Sequence, residues 1–99
     1  MNDFEKLVQA DQRLVILLVL AQDSDYSHNE YVLREALTYM GHGISQDKLR
    51  TEMAWLAEQG LVATTNPAGV VVARLTARGK DVSVGAVVVP GVKRPEPEA

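Results

Sequence analysis

The side chains best suited to chemistry form a short polar cluster near the middle of the chain. Hydroxyl, amide, ammonium and guanidinium groups follow one another there, in Ser45, Gln46, Lys48, Arg50 and Thr51. Such groups donate hydrogen bonds to base edges and to the phosphate oxygens of DNA. Three later bases, Arg74, Arg78 and Lys80, suit phosphate contacts. The cluster therefore predicts a DNA-binding site, but Asp47 and Glu58 would repel phosphates, and an ordinary solvated helix face is the alternative.

Other kinds of chemistry find little support in the sequence. His28 and His42 are the two imidazoles, and two histidines without a third ligand make a weak zinc site. Asp23, Asp25 and Glu30 lie close together in sequence, and we expect these carboxylates to be solvated. Nucleophilic catalysis needs an activated Ser, Cys or Thr, and no motif such as G-x-S-x-G occurs. We therefore expect no enzyme activity, no metal and no cofactor.

A helix over 46–59 is predicted to present the polar cluster. Its apolar residues recur at helical spacing, in Leu49, Met53 and Leu56. Ser45 is a preferred N-cap residue, and Gly60 suits the helix end. Trp55 lies at the edge of the polar face, and we expect it to pack on the following hairpin or on a partner.

An earlier helix is predicted from about 28 to 40. Ser27 and Glu30 match the S-x-x-E capping box, in which each side chain satisfies a backbone N–H of the first turn. Gly41 suits a left-handed C-cap. A short glycine-containing turn then joins this helix to the next, which is the arrangement of a helix-turn-helix unit.

After Gly60 the pattern changes from helical to extended. Residues 61–65 and 70–75 read as two strands of a hairpin whose turn contains proline and glycine. The hairpin tip carries no Lys or Arg, which weakens the case for phosphate binding there. A short turn or helix at 76–84, interrupted at Gly79, is expected to follow.

The first helix carries more apolar residues than one buried face needs. Five aliphatic residues share a face, namely Leu7, Leu14, Leu17, Leu18 and Ala21. Val15, Ile16, Val19 and Leu20 then make the last two turns apolar all round, which is typical of a helix buried on every side. Because a domain of this size has little interior, we predict a homodimer formed through this helix. A central helix inside a monomer is the alternative.

The fold class predicted from these elements is mainly α with a small β-hairpin (α+β). It comprises three helices, a two-stranded hairpin and a short C-terminal element. We place one domain at 1–89 and a flexible tail at 90–99. The chain has 99 residues, of which 46% are hydrophobic and none is cysteine, which excludes a disordered chain and a disulfide framework. The longest apolar run is far shorter than a membrane span, and we expect a cytoplasmic location and no membrane partner.

The net charge of −3 is divided unevenly along the chain. Residues 1–60 hold ten acids against five bases, whereas residues 61–99 hold three acids against five bases. Nucleic-acid-binding proteins usually carry basic surfaces. Only the second part of the chain would attract phosphate without help.

Three stretches, WLAEQGLV, LTARGKDVSVG and VPGVKRP, carry a family resemblance. A helix that ends in WLAEQGLV, followed by a compact hairpin and LTARG, resembles the second half of a winged helix-turn-helix domain of the ArsR and MarR type. Together the three stretches resemble a small family of Mu-like phage and prophage proteins. The resemblance implies a winged-helix protein in a bacterial cytoplasm, with 46–59 as its recognition helix. It does not carry over the metal switch of ArsR proteins, which commonly uses cysteines.

Two functional hypotheses follow from different classes. The first is a dimeric regulator of phage or prophage transcription that binds double-stranded DNA through Ser45, Gln46, Lys48, Arg50, Thr51, Arg74, Arg78 and Lys80. The second is a winged-helix module for protein–protein interaction in a phage, used for assembly or for binding a host factor, without DNA binding. The acidic first part of the chain and the surplus apolar surface of the first helix favour the second.

Overall fold

Four helices and a three-stranded antiparallel sheet make up the computed structural model, which describes residues 1–97. The elements in chain order are α1 (Asp3–Gln22), β1 (Ser27–Asn29), α2 (Glu30–Tyr39), α3 (Gln46–Glu58), β2 (Val62–Thr65), a 3-10 turn (Pro67–Gly69), β3 (Val72–Leu75) and α4 (Ala77–Ser83). The α+β class is confirmed. Within the described residues, no helix is both long enough and apolar enough to cross a bilayer.

The sheet has three strands where the sequence predicts two. Strand β3 lies in the centre of the sheet. The strand order is β1-β3-β2, and both pairings are antiparallel. The predicted capping box of Ser27 and Glu30 is wrong, because Ser27 belongs to β1 and pairs with Arg74. The N-cap of α2 is Asn29, whose side chain accepts from the Val32 amide at 2.9 Å. The Glu30 amide instead donates to the carbonyl of Val71 at 2.8 Å.

The helix that carries the polar cluster is confirmed, and it begins at Gln46 as predicted. Ser45 Oγ accepts from the Lys48 amide at 3.0 Å, as an N-cap should. At the other end Gly60 has a φ of +74°, a conformation that suits glycine. The predicted bound of 59 lies one residue beyond the observed end, and Gln59 is the C-cap.

The hydrophobic core lies between α1, α2, α3 and the sheet. Leu17, Leu20, Leu37, Leu49 and Leu56 are all fully inaccessible to solvent. The second half of α1 is largely covered within one chain. Of its surplus apolar residues, Val15, Ile16 and Leu20 are buried in this core and Val19 is partly buried against it. Leu7 is different: the sequence places it on the apolar face, yet it is 67% exposed.

Helix α4 runs without a break through Gly79, so the predicted interruption there is wrong. Thr76 caps the helix by accepting from the Gly79 amide at 3.0 Å. Gly79 is required for close packing and not for a break. A Cβ at this position would lie 2.0 Å from the carbonyl oxygen of Leu61.

The segment after α4 returns to α1. Val89 and Val92 are buried, and the Lys93 amide donates to the carbonyl of Ala10 at 3.1 Å. Packing therefore continues past the predicted boundary between residues 89 and 90. The division into a domain at 1–89 and a flexible tail at 90–99 stays a prediction. Residues 98 and 99 of that tail lie outside the described part of the chain.

Candidate nucleic-acid interface

The first two turns of α3 bring the polar cluster to the surface. Asp47, Arg50 and Thr51 are exposed there, while Gln46 and Lys48 are partly buried. The Thr51 hydroxyl donates to the Asp47 carbonyl within the same helix at 3.1 Å. The Ser45 hydroxyl is likewise engaged, in the helix cap. The cluster is thus a surface of α3, although several of its polar groups already have partners.

A buried carboxylate holds Arg50 in place. Glu30 is 0% exposed, and its two oxygens accept from Arg50 Nε at 2.7 Å and from Arg50 Nη2 at 2.9 Å. The same carboxylate accepts from the Val71 amide at 2.6 Å and from Gln46 Nε2 at 2.5 Å. Glu30 was expected to be solvated, and that expectation is wrong.

Hydrogen bonding keeps Glu30 charged in spite of its burial. The bond from Arg50 is the largest cause and lowers the pKa of Glu30 to about 2, against the opposing effect of desolvation. The Val71 amide and Gln46 lower the pKa further. A buried carboxylate that is fully hydrogen-bonded in this way remains an anion at neutral pH.

Arg50 also connects α3 to the hairpin. Its Nη2 donates to the carbonyl of Gly69, in the turn between β2 and β3, at 3.2 Å. The guanidinium therefore joins the start of α2, the face of α3 and the hairpin tip. Because Nε and Nη2 are both occupied, Nη1 is the nitrogen left to meet an incoming ligand.

A second buried carboxylate lies deeper on α3. Glu52 is 1% exposed and accepts from Arg13 Nε at 2.5 Å, from Gln9 Nε2 at 2.9 Å and from Lys48 Nζ at 3.2 Å. Burial raises the pKa of Glu52, but the hydrogen bonds from Arg13 and Gln9 outweigh it and hold the pKa below its ordinary value. Lys48 is therefore ion-paired with its own helix.

The three later cations lie on other elements, Arg74 on β3 and Arg78 and Lys80 on α4. Arg78 Nε donates to the carbonyl of Gln59, at the end of α3, at 3.1 Å. That point is about 20 Å along the helix axis from Gln46. Lys80 Nζ lies 3.4 Å from the hydroxyl of Tyr26 and 5.1 Å from its ring centre. Arg74 is exposed in the central strand, and the Arg78 side chain lies at the opposite end of α3 from Gln46.

Trp55 packs against a part of the chain that the sequence did not indicate. The Arg13 guanidinium lies 3.8 Å from the centre of the Trp55 ring. A Cβ on Gly91 would be 3.0 Å from the same ring. The indole thus packs against α1 and the C-terminal segment and is partly buried against the core.

Sequence reasoning missed Glu30 and Glu52 as members of this site. The signal that identifies them is their position relative to apolar neighbours. Glu30 precedes Leu33 and Leu37 by three and seven residues, which places it on the buried face of α2. Glu52 lies on the same side of α3 as Leu49 and Leu56 by the same rule.

Both histidines pair with aspartates. His28 Nε2 lies 2.8 Å from Asp23, and His42 Nε2 lies 2.5 Å from Asp11. Among residues 1–97 there is no cluster of three or more His, Cys, Asp or Glu side chains that would hold a metal ion.

Two known proteins are similar to this chain over most of their length, and no family model matches it. A protein of Escherichia phage Mu, described as uncharacterized protein gp26, is 45% identical over 93 residues, which cover 94% of this chain and 96% of that protein. A Haemophilus influenzae protein, described as uncharacterized, is 42% identical over 76 residues, which cover 76% of this chain and 74% of that protein. The similarity therefore extends beyond the segment that carries the candidate interface.

Proposed function

We propose that this chain, which belongs to the family of the phage Mu protein gp26, is a winged-helix DNA-binding protein that regulates phage or prophage transcription. In this proposal α3 is the recognition helix, and the β2–β3 hairpin is the wing beside it. The protein acts in the cytoplasm of the bacterial host.

One observation carries the proposal: α3 and the hairpin tip are joined into one surface by Arg50. The hydrogen bonds of Arg50 to Glu30 and to the Gly69 carbonyl fix the hairpin beside the exposed face of α3. The element order, with two helices followed by a hairpin and a strand from before α2 completing the sheet, is that expected of a winged helix. Such domains place the second helix of the unit in the major groove.

The engaged cations define what kind of DNA binding to expect. A guanidinium reads guanine through two N–H groups on different nitrogens, and in Arg50 two of the three nitrogens, Nε and Nη2, are already occupied. In this proposal Arg50 therefore contacts a phosphate through Nη1. Lys48 contacts DNA while it remains ion-paired with Glu52, which reduces its attraction for a phosphate. We expect phosphate contacts to dominate, with weak discrimination between sequences.

The cations on β3 and α4 fit the same mode of binding, in which phosphate contacts dominate. Arg78 lies about 20 Å from the start of α3, which is a little over half of the 34 Å pitch of duplex DNA. Arg78, together with Arg74 and Lys80, is then available to a neighbouring stretch of the backbone.

The test uses two matched threonines. Thr51 on α3 and Thr38 on α2 are both exposed, and each hydroxyl donates to the carbonyl four residues earlier, at 3.1 Å and 3.0 Å. Fluorescence anisotropy with labelled fragments from the neighbouring phage genome would give the affinity at low salt. We expect Thr51→Glu to weaken binding by about tenfold or more through repulsion of phosphates, and Thr38→Glu to change it less than about twofold.

Two results would exclude DNA binding through α3. One is the absence of binding to any fragment at low salt, and the other is an equal effect of the two substitutions. Circular dichroism of both variants controls for loss of folding.

A protein–protein interaction module is the second candidate. It is favoured by the pairing of Lys48 and Arg50 with buried carboxylates. Helix α3 holds three acids against these two bases and so has no net positive charge. Under this candidate the unsubstituted protein binds no DNA at low salt. An assembly partner recovered from induced cells would then be lost with Thr51→Glu and retained with Thr38→Glu.

A further inference from the structure

Helix α1 carries exposed apolar residues on the side that faces away from the core. Phe4 is 71% exposed and Leu7 is 67% exposed, both in the first turns, which stand clear of the rest of the chain. They form a ridge of apolar side chains. Exposed apolar side chains that lie together in this way mark a surface that binds another molecule.

A groove lies beside the other end of the same helix. Its apolar lining comes from α1 and α2, in Val15, Leu18, Val19, Val32, Ala36, Tyr39 and Met40. The cavity measures about 570 Å³ and opens to solvent. Tyr39, on its rim, is 91% exposed. The chain thus carries an apolar ridge at the start of α1 and an apolar groove beside the end of the same helix.

One set of residues along α1, which includes Phe4 and Leu18, recurs with the spacing of a coiled coil. Phe4, Val8, Asp11, Val15, Leu18 and Gln22 follow one another at alternating intervals of four and three. This 3.5-residue period places them along one seam of the helix. Phe4 and Leu18 are placed symmetrically about Asp11, each seven residues from it, whereas Val8 and Val15 lie three and four residues away.

That symmetry specifies how two copies would fit. If two α1 helices lie antiparallel with Asp11 on the two-fold axis, Phe4 of each copy lies opposite Leu18 of the other. Each ridge then enters the groove of the other copy. A two-fold interface requires such a self-complementary surface.

The carboxylate at the centre of the seam already has polar partners. Asp11 accepts from His42 Nε2, and its other oxygen lies 3.7 Å from Lys93 Nζ. Both partners belong to the same chain. Two Asp11 side chains at the axis therefore approach as paired groups, which reduces their mutual repulsion.

The exposed apolar area matches what a dimer needs. Taking about 200 Å² for each aromatic side chain, Phe4 and Tyr39 together expose roughly 300 Å² per copy. Leu7, Val32 and Met40, which are 67%, 40% and 57% exposed, add roughly 200 Å². A standard interface buries about 800 Å² per partner, of which about 65% is apolar in homodimers.

We propose that the occupant of this groove is a second copy of the chain, bound through antiparallel α1 helices with residue 4 opposite residue 18. The dimer forms without DNA. Its existence and geometry are therefore independent of the function proposed for α3.

The absence of native cysteine makes the register directly testable. Mixing Phe4→Cys protein with Leu18→Cys protein under mild oxidation should give a disulfide-linked heterodimer, and Asp11→Cys alone should give a linked homodimer. Thr64→Cys, exposed on β2, is the control and should remain unlinked. Efficient linking of Phe4→Cys to itself would show parallel helices and overturn the antiparallel register.

Sedimentation of the unsubstituted protein provides the independent test. We expect a dimer at about 100 µM, and we expect Phe4→Glu to raise the dissociation constant by about tenfold or more. Thr64→Glu, exposed on β2, is the control and should leave the constant unchanged. A monomer at every concentration up to about 100 µM would overturn the proposal, as would a dimer that Phe4→Glu does not weaken.

Discussion

Replacing Glu30 by glutamine isolates the contribution of a buried charge to the stability of this protein. The substitution keeps the shape of the side chain but removes its charge. It also places an N–H₂ group among the donors of Arg50, Gln46 and Val71, which now surround a carboxylate. When buried donors lose a charged acceptor, the free energy of unfolding falls. We therefore expect Glu30→Gln to destabilise the fold.

The magnitude and its pH dependence follow from the pKa of Glu30. The pKa is 4.5 in the unfolded chain and about 2 in the folded protein, so the unfolded chain binds more protons between these values. The stabilisation is complete above pH 4.5 and is lost as pH falls towards 2. The shift corresponds to about 3 kcal/mol at neutral pH. Screening at Arg50, which is 45% exposed, reduces the expected value to about 2 kcal/mol.

Urea unfolding followed by the fluorescence of Trp55, the single tryptophan, measures this effect. We expect the unfolding free energies of the two proteins to differ by about 2 kcal/mol at pH 7 and by roughly a quarter of that at pH 2.5. Glu35→Gln, on the exposed side of α2, is the control and should change stability by less than about 0.5 kcal/mol. A difference that stays constant from pH 7 to pH 2.5 would refute the assignment to the Glu30 charge.

Two further substitutions test the packing around the site. Glu52→Gln should lower the unfolding free energy by about 3 kcal/mol in urea titrations, because Arg13 and Lys48 lose their buried partner. Unchanged stability would contradict this role. Gly79→Ala should lower the melting temperature by about 10 °C or more, since its Cβ would meet the Leu61 carbonyl. In calorimetry Gly43→Ala, with no atom within 4 Å, should shift it by less than about 3 °C; equal shifts would count against the contact.

Local signals in the sequence were sufficient to predict most of the helical framework. The Ser45 cap, the apolar stripe of α3 and the glycine at residue 60 all lie within one short segment and act on neighbouring backbone. Strand β1 escaped prediction because it has only three residues. Its formation depends on pairing with β3, which is distant in sequence.

The difference between local signals and contacts distant in sequence also explains what could not be predicted at the candidate interface. The residue types were predicted, but not that Glu30 would meet Arg50 twenty residues later or that Glu52 would meet Arg13 on another helix. A carboxylate in a polar sequence context reads as solvated. Whether a buried one is paired depends on the tertiary fold, which also decides how much of the charge on Lys48 and Arg50 reaches a ligand.

The central position of β3 has a consequence for how the chain is made. Strand β2 precedes β3 by a few residues, so the hairpin closes soon after its synthesis, whereas the β1 pairing encloses α2 and α3 and pays a larger loop-closure entropy. During translation β1 leaves the ribosome well before its partner exists. Until β3 has been synthesised, the backbone N–H and C=O groups of β1 lack their strand partner. A strand of three residues, Ser27–Asn29, offers a poor template for pairing with other nascent chains, so its shortness protects the protein during synthesis.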